Sequence, residues 1–204
     1  MPRPLVLIDW HQTLSDATFW NKNVECTSSL FSDKERVNTW MRGGFTSEHI
    51  CDWLSSISGV SSRELLSDLE KSCARFTISE DAIVQLQELK KNADIVLVSD
   101  NMDCFSRRVV PRLLERNFFT EIVVSSDVGK LKNDDNGRLL QDVMLSRNAQ
   151  PSRTYLIDDS YLTCELFKKM GGQVLRVADP VDAVTKLTSL NVMIRTTDSR
   201  VLSF

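Results

Sequence analysis

Short apolar runs recur along the chain, and polar residues follow each of them at once. The runs lie at Leu5 to Ile8, Ile95 to Val98, Ile122 to Val124, Tyr155 to Ile157 and Val174 to Val177. Their aliphatic and β-branched residues are consecutive and do not alternate with polar ones, which is typical of parallel strands buried on both faces. The pattern therefore predicts a buried parallel sheet.

Helical periodicity fills the sequence between most of these runs. Apolar residues recur every three or four positions in four sets, which are Ile83, Leu86 and Leu89; Phe105, Val109 and Leu113; Leu162, Leu166 and Met170; and Val184 and Leu187. Ser79 and Asp179 are predicted N-caps, and Gly171 and Gly172 a predicted stop. Pro111 either kinks its helix or begins a new one. This alternation predicts an α/β fold with an open parallel sheet and right-handed crossovers.

The segment from Ser15 to Thr77 breaks this rhythm, because it has helix-like stretches and no convincing buried strand. Its apolar positions are Trp20, Phe31, Val37, Trp40, Ile50, Trp53, Leu54, Leu65, Leu66 and Leu69. We interpret it as a helical subdomain in which most aromatic residues form a core of their own. The alternative is a lid with a few aromatic side chains that contact a substrate. Gly43 and Gly44 suit a turn between two of its helices.

Composition narrows the class of protein and of partner. A chain of 204 residues is long enough to bury about two-thirds of its unfolded surface. A formal net charge of -3 argues against nucleic acid and anionic membranes as partners. Five cysteines without a CxxC spacing fit a reduced cytosol, and no apolar run suits a signal peptide or membrane span. We therefore expect a soluble cytoplasmic protein with a small-molecule partner; periodicity does not indicate its oligomeric state.

Polar residues at the ends of the predicted strands carry the candidate chemistry, since ligands of parallel α/β sheets bind at this edge. They are Asp9, His11 and Thr13; Ser99, Asp100 and Asn101; Lys130 and Lys132; and Asp158 and Asp159. Carboxylates from two strands are the oxygen ligands that Mg²⁺ prefers. A hydroxyl and an ammonium group suit the nonbridging oxygens of a phosphate in phosphoryl transfer.

Four of these segments, in this order, resemble the motifs of the haloacid dehalogenase-like (HAD) phosphatases, and the resemblance extends from Leu5 to about Val177. Asp9 and Thr13 match a first motif of Asp-x-Asp-x-Thr or Val after a strand, and Ser99 ends a segment similar to the second. Val128 to Asp134 is similar to Val-Gly-x-x-Lys-Pro-Asp, with Asn133 in place of proline, and Tyr155 to Ser160 is similar to the fourth motif. The spacing selects Lys132, with Lys130 in reserve.

The resemblance implies a Rossmann-like three-layer core with a small helical cap inserted after the first strand. The core would comprise residues 1–14 and 78–204, and the cap residues 15–77. The implied activity is hydrolysis of a phosphomonoester, a small phosphorylated metabolite, through an aspartyl-phosphate intermediate with Mg²⁺ as cofactor. Asp9 would be the nucleophile and a metal ligand. The other implied roles are phosphate binding by Thr13, Ser99, Asp100, Asn101 and Lys132, and metal binding by Asp158, Asp159 and the backbone carbonyl of His11.

His11 is the main departure, because most family phosphatases have an aspartate there that protonates the leaving group and then activates water. An imidazole can perform both steps, and its reference pKa, about 6.5, lies near neutral pH. We therefore assign His11 as the acid and base. Two alternatives remain, a 2-haloacid dehalogenase-type hydrolase and a catalytically weak protein that binds a phosphorylated ligand. The paired Asp158 and Asp159 favour phosphate, because the family's dehalogenases lack a paired acidic metal site.

Two further alternatives concern the role of Arg42 and the class of protein. Arg42, beside the Gly43 turn, either ends a helix in solvent or reaches an anionic substrate. A phospho-acceptor receiver domain also gathers carboxylates and a lysine at a sheet edge. Such a domain has its acidic pair after the first strand, whereas here Asp158 and Asp159 follow the fourth. The order of the motifs therefore favours the hydrolase.

Overall fold

A parallel sheet of five strands forms the centre of the molecule. The computed structural model describes residues 3–201, with side chains from residue 3 to residue 196. The strands are β1 (Leu5–Ile8), β2 (Asp94–Ser99), β3 (Glu121–Val124), β4 (Thr154–Asp158) and β5 (Gln173–Arg176). Their order in the sheet is β3-β2-β1-β4-β5, so β1 is the central strand. All five predicted strands are confirmed, and every pair is parallel.

Helices connect the strands and cover both faces of the sheet. The connection from β1 to β2 begins with four helices, which are α1 (Val24–Ser32), α2 (Lys34–Met41), α3 (Ser47–Ser58) and α4 (Ser62–Cys73). The remaining helices are α5 (Glu80–Lys90), α6 (Asp103–Arg108), α7 (Val110–Glu115), α8 (Ser125–Val128), α9 (Arg138–Ser146), α10 (Tyr161–Lys169) and α11 (Pro180–Val201). Short 3₁₀ turns occupy Asp134–Asn136 and Pro151–Arg153.

The two faces of β1 enter two separate apolar clusters, because successive strand residues point to opposite sides. Val6 and Ile8 join a cluster with residues of α5 and α11. Leu5 and Leu7 join a second cluster with residues of α9 and with Phe167 of α10. The sheet is therefore the middle layer of three, and the predicted Rossmann-like α/β fold is confirmed.

Two helices begin at the N-caps that the sequence predicted, but the predicted buried face of another helix was wrong. The Ser79 and Asp179 side chains accept backbone N–H groups at the starts of α5 and α11. Pro111 begins a new helix, since α6 ends at Arg108 and α7 starts at Val110. In α10 the predicted apolar position Leu162 is 69% exposed, and the buried face carries Cys164 and Phe167 instead. The Phe167 ring lies directly against the backbone of Gly172, which orients the helix.

The aromatic residues of the inserted helical segment, residues 15–77, pack mainly on one another, as interpreted from the sequence, but their cluster is continuous with the one beside the sheet. Trp20 packs on Trp40 with ring centroids 5.8 Å apart, and Phe19 packs on Phe76 at 5.0 Å. Trp10, directly after β1, packs on Phe105 of α6 at 5.2 Å, and all of these rings join the cluster that contains Val6 and Ile8. Phe76 of the segment stacks on Trp10 with ring centroids 6.5 Å apart, and this contact joins the segment to the end of β1. The division into cap and core domains stays a prediction.

Among the described residues, no helix combines the length and apolar character that crossing a membrane requires.

Candidate active site

Three carboxylates meet at the carboxyl edge of the two central strands. Asp9 directly follows β1, Asp158 ends β4, and Asp159 comes next. Because Ile8 pairs with Ile157 in the parallel register, the two strand ends lie side by side, and the Asp9 N–H donates to the Ile157 carbonyl at 2.9 Å. One carboxylate oxygen from each aspartate lies within 4.8 Å of the others. The fold therefore brings together the acids that the sequence predicted to share one edge.

Lys132 lies between two of these carboxylates. Its Nζ is 2.8 Å from Oδ1 of Asp9 and 2.6 Å from Oδ2 of Asp158, and its side chain is only 4% exposed. The Asp100 carboxylate accepts the backbone N–H of Lys132 at 2.8 Å and fixes this part of the loop. Lys130 lies elsewhere, 3.6 Å from Asp142 and 41% exposed. The structure thus places Lys132, and not Lys130, beside the candidate nucleophile.

The electrostatics of this cluster leave an excess of negative charge. Burial alone would lower the pKa of Lys132, but the carboxylates of Asp158, Asp9 and Asp100 raise it, so the ammonium stays protonated. Burial raises the pKa of Asp9, Asp100 and Asp159, and the Lys132 ammonium opposes each rise. One lysine therefore faces four carboxylates when all are ionised. A divalent cation with oxygen ligands fits this donor set, since it would neutralise buried charges that a single ammonium cannot.

The hydroxyl side of the site contains one polar group without a partner among the described residues. Thr13 is fully buried, and its Oγ1 makes no hydrogen bond. Buried hydroxyls are almost always paired, so this one suits a ligand oxygen. The Ser99 hydroxyl, also fully buried, accepts a long bond of 3.4 Å from Nδ2 of Asn101. The side-chain Oδ1 of Asn101 accepts the Met102 N–H, which directs this side chain toward its own loop.

His11 lies at the surface of the same edge, two residues after Asp9. Its backbone bridges to Ser15, and the residue is exposed. Partial burial lowers the pKa of the imidazole, while the carboxylates of Asp159 and Asp16 oppose that shift. The neutral imidazole is therefore favoured more than in a free histidine, which suits a base better than an acid.

Ser125, at the start of α8, is a site residue that the sequence analysis missed. Its Oγ accepts the Asn101 N–H at 2.9 Å and donates to the Met41 carbonyl at 2.7 Å. It therefore joins the loop after β2 to the inserted segment. Its position directly after a strand end is the signal that identifies it, because the other site residues occupy equivalent positions.

No protein-family model and no curated protein matches this sequence. Solved structures do match its fold. A predicted HAD-like family hydrolase from Porphyromonas gingivalis superposes with a TM-score of 0.72 at 15% identity, covering 93% of this chain and 98% of that one. A HAD family enzyme from Bacteroides thetaiotaomicron, in complex with magnesium and inorganic phosphate, has a TM-score of 0.65 at 17% identity, with coverage of 85% and 93%.

A third match, the L-2-haloacid dehalogenase from Xanthobacter autotrophicus, has a TM-score of 0.60 at 19% identity, with coverage of 87% and 78%. These identities are too low to transfer an activity, but the superpositions span most of each chain. The chain therefore has the fold of the HAD-family hydrolases, as its motifs predicted.

Proposed function

We propose that this protein is a HAD-type, magnesium-dependent phosphomonoester hydrolase that acts through an aspartyl-phosphate intermediate on Asp9. The observation that carries the proposal is the cluster of the buried Asp9 and Asp158 and the half-buried Asp159, with Lys132 between the first two. Buried carboxylates without enough counter-charge are costly, so such a cluster supports a role that needs a cation. A HAD family enzyme of the same fold, in complex with magnesium and inorganic phosphate, supports the ligand class.

In the first step a carboxylate oxygen of Asp9 attacks phosphorus, and the bond from phosphorus to the ester oxygen breaks. The leaving oxygen takes a proton from the His11 imidazolium. The Lys132 ammonium and the Thr13 and Ser99 hydroxyls are the groups that would donate to the nonbridging oxygens, where charge accumulates.

In the second step the neutral His11 takes a proton from water, and the water oxygen attacks phosphorus. The bond between Asp9 and phosphorus breaks, inorganic phosphate leaves, and Asp9 returns as a carboxylate. Asp9, Asp158, Asp159 and the His11 backbone carbonyl would hold Mg²⁺, which supplies positive charge against the carboxylates and the phosphate. Asp100 would keep the Lys132 loop in place through the bond to its backbone N–H.

The inserted segment, as a cap, would select a small phosphorylated metabolite in the cytoplasm. In the dehalogenase alternative Asp9 is again the nucleophile. The structural similarity to a dehalogenase supports this alternative. The retained acidic pair favours phosphate over halide, because carbon-halogen hydrolysis by this route needs no cation. The third alternative, phospho-ligand binding with weak turnover, depends on how well His11 serves as the acid.

The test measures phosphate release from p-nitrophenyl phosphate, with Mg²⁺ or with chelator, for wild type and for Asp9→Asn. p-Nitrophenolate needs little protonation as it leaves, so a weak acid at position 11 would not hide the activity. We expect Mg²⁺-dependent turnover in wild type and none in the variant. Glu121→Gln is the matched control, since it also converts a carboxylate to an amide but belongs to a surface ion pair with Arg147.

Folded wild-type protein without turnover in any condition would contradict the phosphatase proposal. Chloride release from 2-chloropropionate would then favour the dehalogenase alternative. Phosphate binding by calorimetry without turnover would favour the ligand-binding one.

A further inference from the structure

Asp103, the first residue of α6, accepts hydrogen bonds on both carboxylate oxygens from a distant part of the chain. Its Oδ1 accepts the Trp40 indole N–H at 2.8 Å and the Ser47 hydroxyl at 2.7 Å. Its Oδ2 accepts the Ser47 backbone N–H at 3.1 Å and pairs with Arg107 at 2.7 Å. Three of these four bonds therefore come from residues 40–47, which we call the α2–α3 corner.

The α2–α3 corner also contacts the two loops that position candidate site residues. The Met41 carbonyl accepts the Ser125 hydroxyl, and the same Ser125 Oγ holds the Asn101 N–H. Arg42 binds the Asp134 carboxylate through two hydrogen bonds, at 2.6 and 2.7 Å. Asp134 in turn accepts the Leu131 N–H, one residue before Lys132. The corner is thus bonded to the loops after β2 and β3 at once.

Burial makes the bonds to Asp103 more consequential than ordinary surface bonds. Trp40 and Ser47 are both fully buried, so losing their acceptor would leave buried donors without partners. Asp9 is only 6% exposed and Lys132 3%, so the loops around them shape the candidate site closely. The corner is hydrogen-bonded to both loops, so its position affects how the two loops lie relative to each other.

We propose that Asp103 is a positioning residue, which holds the α2–α3 corner in the position where the loops bearing Asn101 and Lys132 are in register for catalysis. This role rests on the proposed phosphatase function. Asp103 does not itself touch the reacting atoms. Asp103 lies four residues after Ser99, in the short turn between β2 and α6. Its carboxylate therefore joins the proposed phosphate-binding loop to the inserted segment.

The test compares wild type, Asp103→Asn and the control Glu121→Gln in p-nitrophenyl phosphate hydrolysis. In Asp103→Asn the side-chain NH₂ group would face two other hydrogen-bond donors, the Ser47 N–H and the Arg107 guanidinium. It could not accept the hydrogen bonds that the carboxylate oxygen accepts. We expect kcat to fall about 10- to 100-fold, the range for losing hydrogen bonds to a charged group, with little change in KM. Loss of folded protein alone would lower the active concentration and leave kcat per folded molecule unchanged.

A second readout is hydrogen–deuterium exchange, which needs no turnover. We expect faster exchange of amides in residues 40–47 of Asp103→Asn, the Ser47 N–H above all, with exchange in β1 and β4 unchanged. Ser47→Ala removes one bond to Asp103 and serves if Asp103→Asn does not fold; its effects should be smaller in both readouts.

Unchanged kcat in Asp103→Asn, or unchanged exchange in residues 40–47, would overturn the positioning role. Faster exchange throughout the protein would also overturn it, because Asp103 would then be a general stability residue. An inactive wild type would contradict the phosphatase proposal and, with it, the catalytic part of this one. The exchange measurement would still decide separately whether Asp103 holds the corner.

Discussion

The Lys132 ammonium and the Asp158 carboxylate lie 2.6 Å apart, and the Asp158 side chain is completely shielded from solvent. A buried ion pair stabilises a protein little more than an apolar pair would. Removing one partner is nevertheless costly, because the other charge then stays buried without a counter-charge. Lys132 therefore stabilises the folded protein through Asp9 and Asp158, in addition to its proposed role in phosphate binding. Its removal should affect folding and catalysis in different, separable ways.

Lys132→Met should lower the free energy of unfolding in chelator by about 3 kcal/mol, since Asp9 and Asp158 then repel each other without a counter-charge. Mg²⁺ should recover more stability in the variant than it adds to wild type. Turnover should fall about 10²- to 10³-fold. Urea denaturation with and without Mg²⁺ checks the first two expectations. Lys130→Met is the control and should change stability by less than about 0.5 kcal/mol.

His11→Ala should reduce kcat by about 10² or more for an alkyl phosphate, whose leaving oxygen needs a proton, with substrate binding nearly unchanged. The loss should be smaller for p-nitrophenyl phosphate, because its leaving group is stable as an anion. Steady-state kinetics on both substrates measure the difference. Equal losses on the two substrates would contradict a role for His11 as the acid.

Gly43→Ala should destabilise the protein more than Gly59→Ala. Both glycines have a positive φ, 73° and 74°, so each substitution costs about 1 kcal/mol in backbone strain. A Cβ at Gly43 would lie 2.3 Å from the Ser126 carbonyl oxygen, whereas one at Gly59 meets nothing within 4 Å. Thermal denaturation of the two variants isolates the effect of that close approach. Equal shifts in melting temperature would show that the contact between the α2–α3 corner and Ser126 is not tight.

The Glu48–Arg107 pair should contribute stability that depends on pH. The hydrogen bond from Arg107 lowers the pKa of Glu48 from its ordinary value to about 2. A pKa lowered by folding gives stability that is present above the unfolded pKa, about 4.3, and is lost as the pH falls toward 2. The side chains are 48% and 46% exposed, so the gain is below about 1 kcal/mol. Melting temperatures of wild type and Glu48→Gln should differ at pH 6 and converge near pH 2.

The sheet and most of the site could be predicted from the sequence because their signals are local. A buried strand shows as an apolar run, and the residue after it lies at a known edge, which located Asp9, Ser99 and Asp158. Contacts between distant segments leave no such signal. Trp40 and Asp103 are 63 residues apart and Arg42 and Asp134 are 92 apart, so neither pair could be recognised from spacing.

The helix faces show the same limit at a smaller scale. The four-residue spacing of Leu162, Leu166 and Met170 is a valid helical repeat, yet α10 turns Phe167 inward. Neighbouring faces of one helix can both satisfy a periodicity, and tertiary packing, here of a large ring against Gly172, decides between them.

The central position of β1 has a consequence for how the protein folds during synthesis. Its partners, β2 and β4, begin at Asp94 and Thr154, so the strand that precedes Asp9 is made long before either neighbour exists. Until then its apolar residues have no sheet to enter, and non-local pairing of this kind is slow and exposed to aggregation. The helices α1 to α4 are made after β1 but before β2, and their buried apolar residues belong to the same cluster as Val6 and Ile8, so they are the first partners available to these two side chains.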